Sequence, residues 1–353
     1  MDLERLFKYI VREADVSDLH FTIGQHPIVK LGGKLTKLTN FEKINKEEMA
    51  YIKNKLMDQK QIKQFSQEGE LDFSYSIPGL SRFRVNAYHQ RGSIAFAIRL
   101  IPTEIPNIDD LKLPEIVKKL ALKKNGLVLC TGPTGSGKST TLASMINLVN
   151  ETKSKHILTL EDPIEYLHDH KKSIVHQREV GDDTKEFSKG LRAALRQDPD
   201  IILIGEMRDL ETISIALKAA ETGHLVLATL HTNSASSTIN RIVDSFPSEQ
   251  QDQIQLQLAS SLRGIISQQL LPRKDTHGRV AALEILTSTP AVQNLIREGN
   301  LPQLDNAIQT GAKHGMISIE NHLKKLFKSG KIDISEVLAR VEKPDRVKKD
   351  LGL

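Results

Sequence analysis

Residues 132–139 read GPTGSGKS, which matches the phosphate-gripping pattern G-x-x-x-x-G-K-[ST] at every fixed position. The run before it, GLVLCT at 126–131, is apolar and strand-like. After it, Leu142, Met145, Ile146 and Val149 recur at helical spacing within Thr140–Asn150. The glycines let successive backbone N–H groups face one concavity, and the helix N-terminus adds positive potential there. The expected cradle is Gly132, Pro133, Thr134, Gly135, Ser136, Gly137, Lys138, Ser139 and Thr140. Lys138 would reach the β- and γ-phosphates of a nucleotide, and the Ser139 hydroxyl would ligate Mg²⁺. At ordinary residue frequencies such a string arises by chance in roughly one chain in a hundred of this length. The alternative reading is a glycine-rich turn.

Working outward, the pattern from Glu115 alternates strands with helices, which predicts a mostly parallel sheet of the α/β class. His156–Leu160, Ile201–Ile204 and Leu225–Thr229 are short apolar runs typical of buried parallel strands. A helix is expected over Thr212–Ala220 and a long one over Glu249–Leu271, followed by a strand over Arg279–Leu286. After Pro290 come helices at Ala291–Arg297, Leu304–Ala312, Ile319–Lys328 and Ser335–Val341.

Toward the N-terminus, Leu3, Leu6, Phe7, Ile10 and Val11 mark an amphipathic helix. Strand-like segments follow at Asp18–Thr22, Ile28–Leu31, Leu71–Ile77, Arg82–His89 and Ile94–Leu100, with a helix over Lys46–Met57 among them. The expected organisation is an α+β domain (1–100), a proline-bearing linker or hinge (101–114), an α/β domain carrying the phosphate loop (115–290) and a helical C-terminal region (291–353).

Composition bounds the function. The chain has 353 residues, 39% hydrophobic and 26% charged, which suits a globular protein with more than one core. No apolar run approaches the ~18 residues that span a bilayer, and Asp2 and Glu4 are expected to exclude a secretion signal. A single cysteine, Cys130, excludes intrachain disulfides and a four-cysteine zinc site, and fits a reducing cytosol. The net charge of +5 is concentrated in Lys313–Leu353, where ten Lys/Arg face six Asp/Glu. A basic tail can meet anionic lipid, nucleic acid or an acidic protein, and it can equally be a solvated helical face.

A phosphate grip alone does not hydrolyse anything; that needs a carboxylate to position water and a cation to meet transition-state charge. Three strand ends supply polar clusters. Ile201–Ile204 leads into Gly205 and Glu206, placing Glu206 at the carboxyl edge of the sheet as the candidate water-positioning base, or as the partner of Arg208. His156–Leu160 runs into EDPIE, where Glu161, Asp162 and Glu165 would crowd the same edge, repelling each other unless a cation sits there, or form a turn of solvated acids. Leu225–Thr229 leads to His231, a candidate γ-phosphate contact or a structural histidine. In the first domain, period-two alternation in SRFRVN (81–86) puts Arg82 and Arg84 on one face, and Arg99 ends another strand. Such arginines are a solvent face or reach a neighbour's nucleotide.

Together these residues resemble the secretion-ATPase superfamily, most closely its type IV pilus retraction ATPases. The matching stretches are SDLHF (17–21), the phosphate loop, the "Asp box" TLEDPIEY (159–166), RQDPD (196–200) leading to GEMRD (205–209), and the "His box" of TGHL (222–225) and LHTNSA (230–235). In that family Gly205 before the glutamate is normal. The resemblance implies a RecA-like P-loop domain with a PAS-like N-terminal domain, in a homohexamer with ATP between subunits. It implies that Glu206 is catalytic, that Glu161 and Glu165 serve Mg²⁺ and water, and that His231 faces the γ-phosphate. Arg82, Arg84 and Arg99 would serve the neighbouring subunit's nucleotide. It further implies a cytoplasmic motor, peripheral at the inner face of the cytoplasmic membrane, acting on an inner-membrane pilus platform protein. Assembly and type II secretion relatives usually carry a four-cysteine zinc element and a longer N-terminal region, which points this chain to retraction. A segment linked to retraction reads AVQNLIREG at 291–299, with Gln293 where a basic residue is expected. The competing function is a DNA-transfer or type II secretion and assembly ATPase of the same superfamily. Nucleic-acid binding has only the basic tail behind it, with no Trp and 4% aromatics to stack on bases.

Overall fold

The computed structural model describes residues 1–13, 16–102 and 104–352. It divides into two compact units, Met1–Glu104 with Glu165–Leu167, and Ile105–Ile164 with His168–Leu353.

The first unit opens with α1 (Leu3–Arg12), whose N-terminus is capped by Asp2 accepting from Arg5 N and whose buried face is Leu3, Leu6, Phe7 and Ile10. Then follow β1 (Val16–Phe21), β2 (Ile28–Leu31), β3 (Lys34–Lys37), α2 (Lys46–Leu56) and α3 (Gln59–Glu68). The unit closes with β4 (Glu70–Ile77), β5 (Ser81–Gln90) and β6 (Ser93–Ile101). Among the described residues these strands form one antiparallel sheet in the order β3-β2-β1-β6-β5-β4. In β5 the expected alternation holds: Phe83 and Val85 are buried, and Arg82 and Arg84 lie between them on the other face. α3 was not expected; it starts at a capping box between Asp58 and Gln61 and stops at Gly69 in the left-handed conformation (φ +84°).

The second unit begins with α4 (Glu115–Ala121), β7 (Gly126–Thr131), α5 (Lys138–Thr152), β8 (His156–Glu161), β9 (Ile174–Glu179) and α6 (Phe187–Ala194). It continues through β10 (Ile201–Ile204), α7 (Leu210–Glu221), β11 (Leu225–Leu230), α8 (Ala235–Val243), α9 (Ser248–Ser261), β12 (Leu262–Pro272) and β13 (Arg279–Thr287). The strand order is β13-β12-β7-β11-β10-β8-β9, with β12 and β13 antiparallel and every other pairing parallel. Every residue of β7, β10 and β11 is buried. Each fully buried Leu, Val or Ile contributes roughly 1.5–3 kcal/mol, so these strands anchor the unit.

One expected element is wrong. The long helix over Glu249–Leu271 ends at Ser261, and residues 262–272 are a strand lying between β7 and β13. Leu262, Ile265, Ile266, Leu270 and Leu271 fall at spacings that fit a helical face as well as a strand, and Ile265 and Ile266 are β-branched residues that favour the pleated form. Gly264 also belongs in the strand: a Cβ there would come within 2.9 Å of the Leu120 side chain.

The expected linker 101–114 is divided. Ile101 ends β6, Thr103 lies outside the described residues, and from Ile105 the chain belongs to the second unit. Ile108 and Leu113 are buried in that unit's core, and Ser144 Oγ donates to Pro106 O over 2.6 Å. The C-terminal region comprises α10 (Pro290–Arg297), α11 (Leu304–Thr310), α12 (Ile319–Lys328), α13 (Ile334–Leu338) and α14 (Pro344–Leu351); Leu353 lies outside the described residues. Its first part is no appendage, since Val292, Ile296, Leu304 and Ile308 join the main core. α12 to α14 form a smaller cluster with Leu271 of β12 and Ala282 of β13.

Candidate active site

The phosphate loop joins β7 to α5. Gly132, Gly135 and Gly137 all have positive φ (+144°, +77° and +87°), so the loop curls in a way that side chains resist. Gly137, at the N-cap of α5, offers no side-chain cap, which leaves the helix's first N–H groups for an anion. Ser136 Oγ is buried with no hydrogen-bond partner, which also fits a phosphate oxygen. Lys138 is buried, and its ammonium donates to Gly132 O (2.8 Å) and Pro133 O (3.1 Å). Burial pushes its pKa down, against the opposing pull of Cys130 and Glu206. Pro133, Thr134, Gly135 and Ser139 are exposed along the rim, and Thr140 is half-buried.

Glu206 follows β10 at the carboxyl edge, where backbone bonds fix the turn. Gly205 N donates to Leu160 O (2.7 Å), Met207 N donates to Thr229 O (3.2 Å), and Thr229 Oγ1 donates to Gly205 O. A Cβ on Gly205 would come within 3.2 Å of Glu161 Cα and Leu160 O, so an aspartate before Glu206 would crowd β8. Glu206 Oε1 lies 3.1 Å from His231 Nε2, and Oε2 accepts from Arg208 Nε at 2.6 Å. Arg208 NH1 reaches toward Asp162 Oδ2 at 3.8 Å. The bond to Glu206 holds the Arg208 guanidinium's pKa above its usual value. The pairing that was the alternative for Glu206 is therefore present, as one half of a four-residue hub of Asp162, Glu206, Arg208 and His231.

Glu161 ends β8, its Oε1 accepting from Thr159 Oγ1 (2.7 Å) and Gln177 Nε2 (3.3 Å). The peptide from Asp162 to Pro163 is cis. His231 leaves β11 and leads to α8, which is capped by Ser234 and Ser237 in a reciprocal box. Glu284 of β13, its pKa raised by burial, accepts from Ala235 N at 2.8 Å.

The second unit thus brings together Lys138, Glu206 and His231, with Glu161 on the adjoining strand. Glu165 belongs to the stretch 165–167 that groups with the first unit, and so do Arg82, Arg84 and Arg99. On that unit's sheet Arg84 and Arg99 sit directly opposite each other, a like-charge pairing relieved by Asp72 (3.8 Å from Arg84) and Asp18 (2.9 Å from Arg99). Arg82 NH1 donates to Ser76 Oγ at 3.5 Å.

Sequence reasoning missed Gln268, whose amide is built into the phosphate loop from β12. The signal was two glutamines, Gln268 and Gln269, interrupting an apolar run. It also undervalued Arg208, whose role depends on Asp162 and Glu206 meeting it from different strands.

Residues 39–349 match the model of a family described as type II/IV secretion system protein. The chain is 46% identical to the type IV pilus retraction ATPase PilT of Pseudomonas aeruginosa, over 98% of this chain and 99% of that one. It is 41% identical to the type IV pilus ATPase PilU of the same organism, over 97% and 89%. A crystal structure of the pilus retraction motor PilT with bound ADP superposes with a TM-score of 0.92 at 46% identity, covering 99% of both chains. The Legionella pneumophila ATPase DotB gives 0.82 at 32% identity, covering 95% and 93%. The chain belongs to the type II/IV secretion system protein family.

Proposed function

We propose that this chain is an ATP-hydrolysing, hexameric motor that powers type IV pilus retraction, and hence twitching motility. The observation that carries the chemistry is the hub at the carboxyl edge: Glu206 held between Arg208 and His231, beside a phosphate loop with a buried lysine. The pilus assignment rests on the relatives' names and on near-complete coverage of their chains.

In this reading the loop N–H groups, Ser136 Oγ and Lys138 bind the phosphates of ATP. The Ser139 hydroxyl and Glu161 hold Mg²⁺, which when bound neutralises charge developing on the phosphates. Glu206 takes a proton from the attacking water, its two oxygens aimed by Arg208 and His231. Glu165 assists the metal and water, and His231 senses the γ-phosphate. Arg82, Arg84 and Arg99 come from a neighbouring copy to meet transition-state charge, which makes the ring the catalytic unit. The protein works from the cytoplasm against an inner-membrane platform protein; no helix among the described residues is long and apolar enough to cross a membrane.

The test has two parts. The purified chain should release phosphate from ATP only with Mg²⁺, and Lys138→Ala should bind ADP at least ~100-fold more weakly. Deleting the gene should leave more surface pili with lost twitching; bald cells would reassign the motor to assembly.

A further inference from the structure

Gln268 is buried on β12 with both ends of its amide engaged. Nε2 donates to Ser136 O at 2.7 Å, and Oε1 accepts from Thr141 Oγ1 at 2.8 Å. Ser136 lies in the phosphate loop and Thr141 in the first turn of α5, so one side chain ties the loop to the helix it opens. Both glycines that bound the loop pack against the same residue. A Cβ on Gly132 would fall 2.2 Å from Gln268 O, and one on Gly137 would fall 2.7 Å from Gln268 Nε2. Beside it, Ser267 Oγ and Thr131 Oγ1 are 2.9 Å apart, which pins β12 to the end of β7.

The consequence follows from peptide geometry. The carbonyl of Ser136 and the N–H of Gly137 share one planar trans unit and point in opposite directions. Holding Ser136 O against β12 therefore turns the Gly137 N–H away from β12, toward the open side of the loop. Without Gln268 that carbonyl is a buried acceptor lacking a donor, and the peptide gains by rotating to find one. We propose that Gln268 is a positioning residue for nucleotide binding, fixing the Ser136–Gly137 peptide so that its N–H faces the phosphates. This rests on the nucleotide reading given above. The bland alternative is an amide that merely fills the core.

The full-length chain and three variants separate the two. Gln268→Met keeps the volume and removes both bonds; ADP affinity should fall on the order of tenfold, and KM for ATP should rise by a similar factor with kcat little changed. Thr141→Val removes only the helix bond and should cost about threefold. Gln268→Glu keeps that bond but sets a carboxylate against Ser136 O. Its ADP affinity should fall further than that of Gln268→Met. It should recover, relative to the unsubstituted chain, between pH ~8 and ~6, as the carboxyl gains a proton it can donate. A core-filling role would leave ADP affinity of both Gln268→Met and Thr141→Val at the level of the unsubstituted chain. ADP affinity of Gln268→Met within twofold of the unsubstituted chain, or a Gln268→Glu loss that ignores pH, overturns the proposal. Should Gln268→Met not fold, the other two variants decide it. If the unsubstituted chain itself binds no ADP, the nucleotide reading fails, and this inference fails with it.

Discussion

The two ends of β8 are about equally polar, and they do opposite things. At the amino end His156 Nε2 lies 3.0 Å from His176 Nδ1, and its Nδ1 lies 3.2 Å from Asp198 O. There Asp200 accepts from both Lys155 Nζ and His156 N. These groups settle each other in local pairs near the surface. At the carboxyl end Asp162 meets Arg208, which follows β10, Glu206 meets His231, which follows β11, and the phosphate loop opens from β7. In a parallel sheet flanked by helices, the carboxyl edge faces helix N-termini, where partial positive charge gathers, and the amino edge faces the opposite pole. Polar density alone does not mark a site; convergence on the electropositive edge does.

The contrast breaks first at Glu206. Glu206→Gln should keep ADP binding and lose at least ~100-fold in turnover, measured as steady-state phosphate release; turnover within threefold would remove the distinction between the edges. Arg208→Ala strips Glu206 of its 2.6 Å partner. About a tenfold loss in kcat is expected there, with ADP affinity nearly unchanged.

Acid stability sharpens the picture away from the hub. Burial pushes His168 and His322 down to about 4, and His322 Nδ1 accepts from Leu283 N, a bond that needs the neutral ring. The unfolded chain takes up these protons near the ordinary value of about 6.5, so unfolding binds protons between roughly pH 6.5 and 4. Stability present above that window is lost as pH falls through it, by at most ~1.4 kcal/mol per pH unit for each histidine. Urea midpoints at pH ~7 and ~5 should show the fall, and His322→Gln should flatten part of it. The smallest effect belongs to the amino end: His176→Ala should leave turnover within twofold and cost under about 1 kcal/mol, read from the same urea curves.

Much of this was legible in the chain. Gly126–Thr131, Ile201–Ile204 and Leu225–Thr229 stand out because strands buried on both faces must be continuously apolar, and each switches abruptly to polar residues where it leaves the sheet. The alternation that sets Arg82 and Arg84 on the face opposite Phe83 and Val85 is equally direct. β9, an edge strand with an exposed Ile174 and mixed polarity, gives no such signal. β12 gives an ambiguous one, and with its misreading the role of Gln268 was lost. The hub was readable only in part, because local spacing names Glu206 and His231 but not the bonds that join them across strands.

Gln268 and the carbonyl it holds are 132 residues apart in the chain. At ~5–20 residues per second of synthesis, the phosphate loop leaves the ribosome roughly 7 to 26 s before its clasp does. In that interval the loop lacks the clasp proposed for Gln268, and a nascent chain that has not yet made β12 is expected to bind nucleotide poorly. Strands written long after the phosphate loop are then what ready it for nucleotide.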